Sequence, residues 1–414
     1  MSYICVTGGK PLRGTLAVQG AKNAVLPILA ATLCTRSRCV LRGCPEISDV
    51  HSAIEILRAL GCAAEMQNDT VTVDAAQANG CEIAPELARK MRSSVTFLGA
   101  LVACCGAARV PLPGGCVLGK RPLDLHLQGL EALGTEVLLE DGCLLCRGKP
   151  RGGTALLRYP SVGATENLML AALGAGETVT ILGAAKEPEI EDLASFLNAC
   201  GADVRGAGSN RIQVFSAPKR GCEYSVLPDR MAAASYLCAA AAAGGDLCLT
   251  RVRPEHLRPV LDTLFAAGCE VEASEDRICL RAAALQAPPP IVTAPYPGFP
   301  TDAQAPVMAA LLRASGTTVF DETVFEDRYR HVPALRQLGA EIRVCGSIAS
   351  VRGVETLTGA DMTATDLRGG AAMLIAALSA RGESRIFAPE HLARGYEHLT
   401  ENLRALGAEV TLEN

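Results

Sequence analysis

The stretch LRALGCAAEM, residues 57–66, decides the fold because one helix ends in it and one strand begins in it. Leu57 and Leu60 lie at helical spacing, and Gly61 suits the left-handed conformation that ends many helices. In most copies of this pattern the residues after the glycine are rich in Val, Ile and Leu, as expected of a strand. The further copies are LEALGTEVLL (130–139), LNACGADVRG (197–206), LFAAGCEVEA (264–273), LRQLGAEIRV (335–344) and LRALGAEVTL (403–412). The chain is therefore predicted to contain repeats of one unit of about 70 residues.

A second helix recurs at the same period, rich in alanine and apolar on nearly all sides. Helices of this kind are normally buried. The copies are KNAVLPILAATL (22–33), SSVTFLGALVACC (93–105), GATENLMLAALGA (163–175), DRMAAASYLCAAAAA (229–243), DAQAPVMAALLRA (302–314) and DLRGGAAMLIAALSA (366–380). Most units add a hairpin with a polar turn, as in EVEASEDRICL (270–280). A unit thus contains a strand, a buried helix, a second strand, an amphipathic helix and a hairpin in some circular order, which predicts an α/β protein.

Length and charge narrow the class of protein. The 414 residues exceed the roughly 250–300 at which single cores usually divide, so two domains of three units each are expected. A solenoid is the alternative, but irregular spacing and the lack of polar cap repeats favour globular domains. The net charge is −5 and the basic residues are scattered, which argues against nucleic-acid binding and leaves room for a small anionic ligand. With no signal peptide at the N-terminus and no long apolar run, a cytosolic protein without membrane insertion is expected.

The 18 cysteines do not predict a disulfide framework, because the chain is long and lacks a signal peptide. Several lie in apolar segments, where a thiol behaves as a small hydrophobic group: Cys104, Cys105, Cys238 and Cys279. Cys143 and Cys146 form a CxxC pair with no second pair to complete a zinc site.

Polar residues mark the first turns of the buried helices. They are Lys22 and Asn23, Arg92, Ser161, Asp229 with Arg230, Asp302, and Asp366 with Arg368. Helix N-termini carry partial positive charge and free N–H donors, so such ends together with Lys and Arg predict an anion site. Asp229 and Asp366 have an alternative interpretation as simple helix caps. Capping does not explain the cations, which a helix N-terminus repels.

Residues 110–122, VPLPGGCVLGKRP, form a long loop with its own hinges. Cys116 in this loop lies near Lys120 and Arg121, which favour its reactive thiolate form. Gly114, Gly119 and Lys120 mimic a phosphate-binding P-loop, but Arg121 occupies the place of the Mg²⁺-binding Ser or Thr. A nucleotide triphosphatase is therefore disfavoured.

Seven motifs, in order along essentially the whole chain, resemble the UDP-N-acetylglucosamine 1-carboxyvinyltransferases of the enolpyruvyl transferase family. They are GAKN (20–23), GGCVLGKRPLDLH (114–126), PSVGAT (160–165), FPTDAQ (299–304), ETVFEDR (322–328), ATDLR (364–368) and RGYE (394–397). The resemblance implies two inside-out α/β barrel domains of three repeated units each. It also implies that the N-terminal strand joins the second domain, so that residues 20–227 form one domain and residues 1–19 with 228–414 the other.

This family transfers the enolpyruvyl group of phosphoenolpyruvate to the 3-hydroxyl of UDP-N-acetylglucosamine, the first committed step of peptidoglycan synthesis. The resemblance implies no metal and no organic cofactor. By the matching motifs, phosphoenolpyruvate is expected to contact Lys22, Asn23, Arg121, Arg368 and Arg394, since several cations suit its phosphate and carboxylate. The UDP-sugar is expected to contact Arg92, Arg121, Pro122, Leu123, Asp124, Leu125, Ser161, Val162, Gly163, Asp302 and Val324.

The same resemblance assigns the chemistry. Cys116 is expected to protonate the methylene carbon and to form a covalent phospholactoyl adduct, while Asp302 accepts the proton of the 3-hydroxyl. Lys22 and Arg394 complete the catalytic set. The thiol must stay protonated beside cations, so bound phosphate has to offset their charge first. Closure of the loop over bound UDP-sugar would exclude water.

Three positions depart from the family pattern. Met231-Ala232 stands where an acidic residue is common, Gly369-Gly370 where Ala or Ser is usual, and Asp327 where Asn is frequent. The glycines are expected to loosen the first turn of the sixth buried helix. Two other functions remain open: the sister transferase acting on shikimate 3-phosphate, which lacks the Gly-Gly-Cys loop, and a paralogue that binds UDP-sugar without catalysis.

Overall fold

The computed structural model describes residues 2–91, 94–112, 123–282 and 284–413. Its helices are α1 (Lys22–Thr35), α2 (Ser48–Ala59), α3 (Pro85–Lys90), α4 (Phe97–Cys105), α5 (Asp124–Ala132), α6 (Val162–Ala172), α7 (Pro188–Ala199), α8 (Arg230–Ala243), α9 (Arg258–Ala266), α10 (Thr301–Ala310), α11 (Val332–Gln337), α12 (Leu367–Ser379) and α13 (Leu399–Ala405). Short 3₁₀ helices cover Ser94–Thr96, Pro254–Leu257 and Pro389–His391. No helix among these residues is long and apolar enough to cross a membrane.

The strands are β1 (Tyr3–Thr7), β2 (Arg13–Ala17), β3 (Arg38–Arg42), β4 (Ala63–Gln67), β5 (Thr70–Asp74), β6 (Ala107–Pro111), β7 (Glu136–Glu140), β8 (Cys143–Arg147), β9 (Gly153–Leu156), β10 (Val179–Leu182), β11 (Asp203–Arg205), β12 (Arg211–Ser216), β13 (Glu223–Ser225), β14 (Asp246–Thr250), β15 (Glu270–Ser274), β16 (Arg277–Arg281), β17 (Ile291–Val292), β18 (Thr317–Asp321), β19 (Glu341–Cys345), β20 (Ile348–Arg352), β21 (Asp361–Thr363), β22 (Glu383–Phe387) and β23 (Glu409–Glu413). Strands and helices alternate along the chain, which confirms the predicted α/β class.

The chain divides into two compact units. One contains the residues up to Gln19 together with those from Pro228 onward, and the other runs from Gly20 to Leu227. The first residues belong with the C-terminal half because β1 pairs with β22 and β23, and β2 pairs with β14.

One strand pattern recurs in all the sheets of the described residues. In the sheet ordered β15-β16-β14-β2, a hairpin is followed by a third, antiparallel strand and a fourth, parallel one. The sheets β19-β20-β18-β17, β4-β5-β3-β13 and β11-β12-β10-β9 repeat it, and β7-β8-β6 repeats its first three strands. The sheet β23-β1-β22-β21 has the same pattern, but its second strand is the N-terminal strand β1 instead of the second strand of a hairpin. Each sheet thus corresponds to one sequence repeat.

The recurring glycine ends each amphipathic helix in the predicted way. Gly61, Gly134, Gly201, Gly268, Gly339 and Gly407 have φ values of 94°, 82°, 87°, 100°, 94° and 96°. In every copy the N–H of the next residue donates to the carbonyl oxygen of a leucine five positions earlier, as from Cys62 to Leu57. This is the Schellman arrangement, and it requires the left-handed backbone that glycine adopts without strain.

The alanine-rich helices form the cores of the two units. In one unit α1, α4 and α6 pack on one another, and in the other α8, α10 and α12 do so. Every residue of α8 from Arg230 to Ala241 is buried. The all-round apolar pattern therefore predicted their burial correctly.

Among the described residues there is one disulfide bond, a single bridge and not a framework. Cys248 on β14 and Cys279 on β16 form a disulfide bond, because the antiparallel register places them directly opposite each other. Cys279 is therefore not the apolar thiol that its segment suggested. Cys143 and Cys146 are both buried on β8, and their odd spacing directs them to opposite faces of the strand.

Candidate active site

The caps of the buried helices confirm one interpretation that the sequence left open. Oδ1 of Asp229 accepts from the N–H groups of Met231 and Ala232 at 2.8 and 2.9 Å. Oδ1 of Asp366 accepts from Arg368 and Gly369 at 3.0 and 2.9 Å. Both aspartates are therefore N-caps. An acidic residue in place of Ala232 is not needed for this cap.

Asp302, in the first turn of α10, holds two arginines. Its Oδ1 accepts from Nη2 of Arg328 at 2.7 Å, and its Oδ2 accepts from Nε of Arg368 at 3.2 Å. The arginine side chains are 3% and 5% exposed, whereas that of Asp302 is 32% exposed. The carboxylate thus stands at the accessible edge of a buried cationic pair.

The charge state of Asp302 follows from these contacts. Burial opposes its ionisation, but the charges and hydrogen bonds of Arg368 and Arg328 outweigh burial and hold its pKa well below the usual range. Asp302 is therefore a firmly ionised carboxylate and a weak base while both arginines hold it. Arg368 also donates from Nη1 to the phenol oxygen of Tyr396 at 3.1 Å.

Lys22 begins α1 in the other unit, as the sequence predicted. Its Nζ lies 2.6 Å from Oδ2 of Asp49, in the first turn of α2. Both side chains are buried, while the neighbouring Asn23 is exposed. The helix N-terminus thus carries a cation that a buried carboxylate compensates.

Two segments assigned to the UDP-sugar lie side by side in this unit. Ser161 caps α6, because its Oγ accepts from Ala164 N–H at 3.4 Å. A Cβ at Gly163 would lie 3.2 Å from Cε1 of His126, which belongs to the segment that contains Leu123, Asp124 and Leu125. Asp124 begins α5 and forms an ion pair with Arg158. Val162 is the first residue of α6.

Asn167 fixes the tautomer of His126. Oδ1 of Asn167 accepts from Gly99 N–H at 2.7 Å, so its Nδ2 must be the atom that donates to Nδ1 of His126 at 3.0 Å. His126 is therefore neutral and carries its proton on Nε2.

The remaining predicted residues are placed as follows. The N–H of Val324 donates to Oε1 of Glu322 at 3.0 Å, and Arg394 lies half-buried in the turn before α13. Asp327 forms an exposed ion pair with Arg330. Cys116, Arg92, Arg121 and Pro122 lie outside the described residues.

Several residues at these sites were missed by the sequence reasoning. Asp49 resembles an ordinary acidic residue in the first turn of an amphipathic helix, and nothing in its spacing links it to Lys22. Arg328 was noted only for its motif, although it is the shortest contact of Asp302. Glu166 is buried in α6, and burial, followed by the charges of Glu189 and Glu187, raises its pKa well above the usual value.

Comparison with known sequences gives consistent matches over the full length. The family model for EPSP synthase (3-phosphoshikimate 1-carboxyvinyltransferase) matches residues 6–403. UDP-N-acetylglucosamine 1-carboxyvinyltransferase 2 of Caldanaerobacter subterraneus subsp. tengcongensis is 45% identical over 413 residues, with 99% of each chain covered. UDP-N-acetylglucosamine 1-carboxyvinyltransferase of Nitratidesulfovibrio vulgaris strain Hildenborough is 44% identical over 422 residues, with 100% of each chain covered.

Solved structures give the same picture of the fold. The enolpyruvyl transferase NikO from Streptomyces tendae matches with a TM-score of 0.89 and 26% identity, over 99% of this chain and 98% of that one. EPSP synthase from Acinetobacter baumannii matches with a TM-score of 0.74 and 18% identity over 100% of both chains, which is evidence for the fold alone.

Proposed function

The chain belongs to the EPSP synthase family of enolpyruvyl transferases, and on this premise we propose that it transfers the enolpyruvyl group of phosphoenolpyruvate to the 3-hydroxyl of UDP-N-acetylglucosamine. Phosphate is released, and the product enters peptidoglycan synthesis in the cytoplasm. The observation that carries the proposal is full-length identity of 45% and 44% with proteins named for this reaction.

The architecture we propose is that of two inside-out α/β barrel domains. The one-sheet-per-repeat pattern and the cores of three packed helices support this arrangement. Residues 20–227 would form one domain and residues 1–19 with 228–414 the other.

The cations are proposed to bind the donor. Lys22, Arg121 and Arg394 would hold the phosphate of phosphoenolpyruvate, while Arg368 and Arg394 hold its carboxylate. Planar guanidinium groups suit both anions because they donate two parallel hydrogen bonds. The first-turn position of Lys22 adds the helix dipole to its charge.

In the reaction, the 3-hydroxyl oxygen bonds to C2 of phosphoenolpyruvate while Cys116 gives a proton to C3. The Cys116 thiolate then takes a proton back from C3 as the C2–O bond to phosphate breaks and phosphate leaves. Asp302 is proposed to take the hydroxyl proton, but its two arginines oppose this by stabilising the ionised form. When the donor carboxylate binds Arg368, it offsets part of the arginine's charge, and Asp302 becomes more basic.

Transfer to shikimate 3-phosphate is the second candidate, since the matching family model carries that description. The match to a solved EPSP synthase is only 18% identical, and the Gly-Gly-Cys loop favours the UDP-sugar.

The role of Cys116 is tested by Cys116→Ala. We expect the variant to bind both substrates in calorimetry while kcat falls about 10²- to 10⁴-fold, the usual contribution of a general acid. Cys345→Ala, at an exposed thiol, is the matched control and should keep wild-type kcat. Substantial phosphate release by Cys116→Ala at saturating substrates would refute the acid role.

A further inference from the structure

We propose that Tyr396 is a positioning residue that orients Arg368 toward the anionic donor substrate. This inference rests on the proposed function and adds to it a residue that does not itself touch the donor. The observations that carry it are a chain of hydrogen bonds inside one unit, the burial of its members, and the packing of the turn that contains Tyr396.

Arg368 is held at two of its nitrogens. Nε donates to Oδ2 of Asp302 at 3.2 Å, and Nη1 donates to the phenol oxygen of Tyr396 at 3.1 Å. The guanidinium carbon also lies 5.7 Å from the centre of the Tyr396 ring. Within the described residues Nη2 makes no hydrogen bond, so this edge of the fork is available to a carboxylate.

The direction of each hydrogen bond follows from counting protons. Ser235 lies 2.9 Å from the carbonyl oxygen of Met231, which only accepts, so the single hydroxyl proton of Ser235 is donated there. Ser235 must then accept from the Tyr396 hydroxyl at 2.7 Å. The Tyr396 oxygen accepts in turn from Arg368. The chain thus runs from Arg368 through Tyr396 and Ser235 to the backbone of α8, and no member can be reversed without breaking a bond.

The phenol keeps its proton under working conditions. Tyr396 is 4% exposed, and burial raises its pKa despite the opposing charge of Arg368. A neutral phenol can accept from a guanidinium and donate to a hydroxyl at the same time, whereas a phenolate cannot do both. The protonated phenol therefore suits the orientation of Arg368.

The turn of Tyr396 is fixed on both sides. Gln19 donates to the carbonyl oxygen of Gly395 at 3.0 Å and accepts from the N–H of Glu397 at 2.8 Å. A Cβ at Gly395 would lie 2.5 Å from Cδ2 of Leu367, the first residue of α12, so the turn packs closely on the helix that carries Arg368. The position of the phenol relative to Arg368 is thus set by the contacts that the turn makes with the side chains of Gln19 and Leu367.

The test is Tyr396→Phe in the full-length protein. Removing one hydrogen bond to a charged group should raise the KM for phosphoenolpyruvate about tenfold. The KM for UDP-N-acetylglucosamine should not change, because Arg368 is assigned only to the donor. A merely structural role would lower the thermal midpoint but leave the ratio of the two KM values unchanged.

Tyr236→Phe is the matched control. Tyr236 is 3% exposed, and its phenol oxygen accepts from Asn402 at 3.0 Å without contacting Arg368. It should lose stability as Tyr396→Phe does and keep both KM values. Should Tyr396→Phe fail to fold, Ser235→Ala provides the second test, with a smaller rise in the same KM.

The outcomes separate this inference from the proposed function. An inactive wild type contradicts the proposed function; an active wild type with the same phosphoenolpyruvate KM as Tyr396→Phe overturns the positioning role. If the wild type is inactive, calorimetric titration with phosphoenolpyruvate decides the inference. Weaker binding by Tyr396→Phe than by the wild type supports it. Equal binding by the two proteins, or no binding by the wild type, overturns it.

Discussion

At the scale of single residues, the Asp302 carboxylate is the shared ion-pair partner of two arginines. It pairs with Arg328 and Arg368, whose own side chains are almost fully buried. A buried cation that lost this partner would remain uncompensated, which is costly in a low-dielectric interior. Asp302 therefore serves the stability of the site as well as its proposed chemistry.

His331 gives a prediction for the pH dependence of stability. It is 1% exposed, and its Nε2 has no hydrogen-bond partner among the described residues. Burial lowers its pKa from 6.5 to about 4, and the charge of Arg328 acts in the same direction against that of Asp366. As pH falls below about 6.5, the unfolded chain binds a proton that the folded protein refuses, so stability is lost between about pH 6.5 and 4.

Urea unfolding at pH 7 and pH 5 checks this prediction. We expect the wild type to lose about 2 kcal/mol more than His331→Gln between these values. His51→Gln, which removes an exposed imidazole, is the control and should follow the wild type. Equal losses in the wild type and His331→Gln would show that His331 is not kept neutral by burial.

The motifs indicated candidate site residues but not the partners that these residues have in the structure. Asp302 and Arg368 were identified through motifs, yet their hydrogen bond joins positions far apart in the chain. Ion pairs of this kind depend on how α10 and α12 pack, which no local pattern encodes. The same holds for Lys22 and Asp49. The carboxylates that compensate the cations therefore had to come from the structure.

At the scale of secondary-structure elements, the ends of helices were the most predictable feature. The repeated phrase predicted the six glycines, the leucine four positions before each glycine, and the strand that follows it. The structure agrees at each of these points. These features are local, so the sequence contains them fully. The pairing of Cys248 with Cys279 was missed because it depends on the register between β14 and β16.

The departure at Gly369 has an explanation in the structure. A Cβ there would lie 2.9 Å from Oδ2 of Asp366 and 3.2 Å from Cβ of His331. Asp366 caps α12, so its carboxylate cannot move away without weakening the cap. Glycine leaves space for the cap, and the cap offsets the loosening that glycine was expected to cause in the first turn.

Gly369→Ala is therefore expected to lower the free energy of unfolding by about 1 kcal/mol, although alanine is the better helix former. Gly370→Ala is the matched control, because its Cβ would meet carbons of Ala364 and Leu392 at 3.2 Å and not the capping carboxylate. Urea denaturation compares the two. A Gly369→Ala variant more stable than Gly370→Ala would contradict this explanation.

At the scale of the whole molecule, the six-fold repeat was visible in the sequence, but the circular order of its strands was not. The order is decided by β1, which completes the sheet of the last repeat by pairing with β22 and β23. A strand at one end of the chain that completes a sheet formed at the other end leaves no periodic signal. Only the resemblance of the chain's motifs to a known family predicted that the N-terminal strand joins the C-terminal half.

The reaction proposed for this chain is the transfer of enolpyruvyl to UDP-N-acetylglucosamine. The most direct measurement is phosphate release from phosphoenolpyruvate with UDP-N-acetylglucosamine or shikimate 3-phosphate as acceptor, with Cys116→Ala as the background. We expect release by the wild type with UDP-N-acetylglucosamine alone. Release with shikimate 3-phosphate, or with neither acceptor, would contradict it.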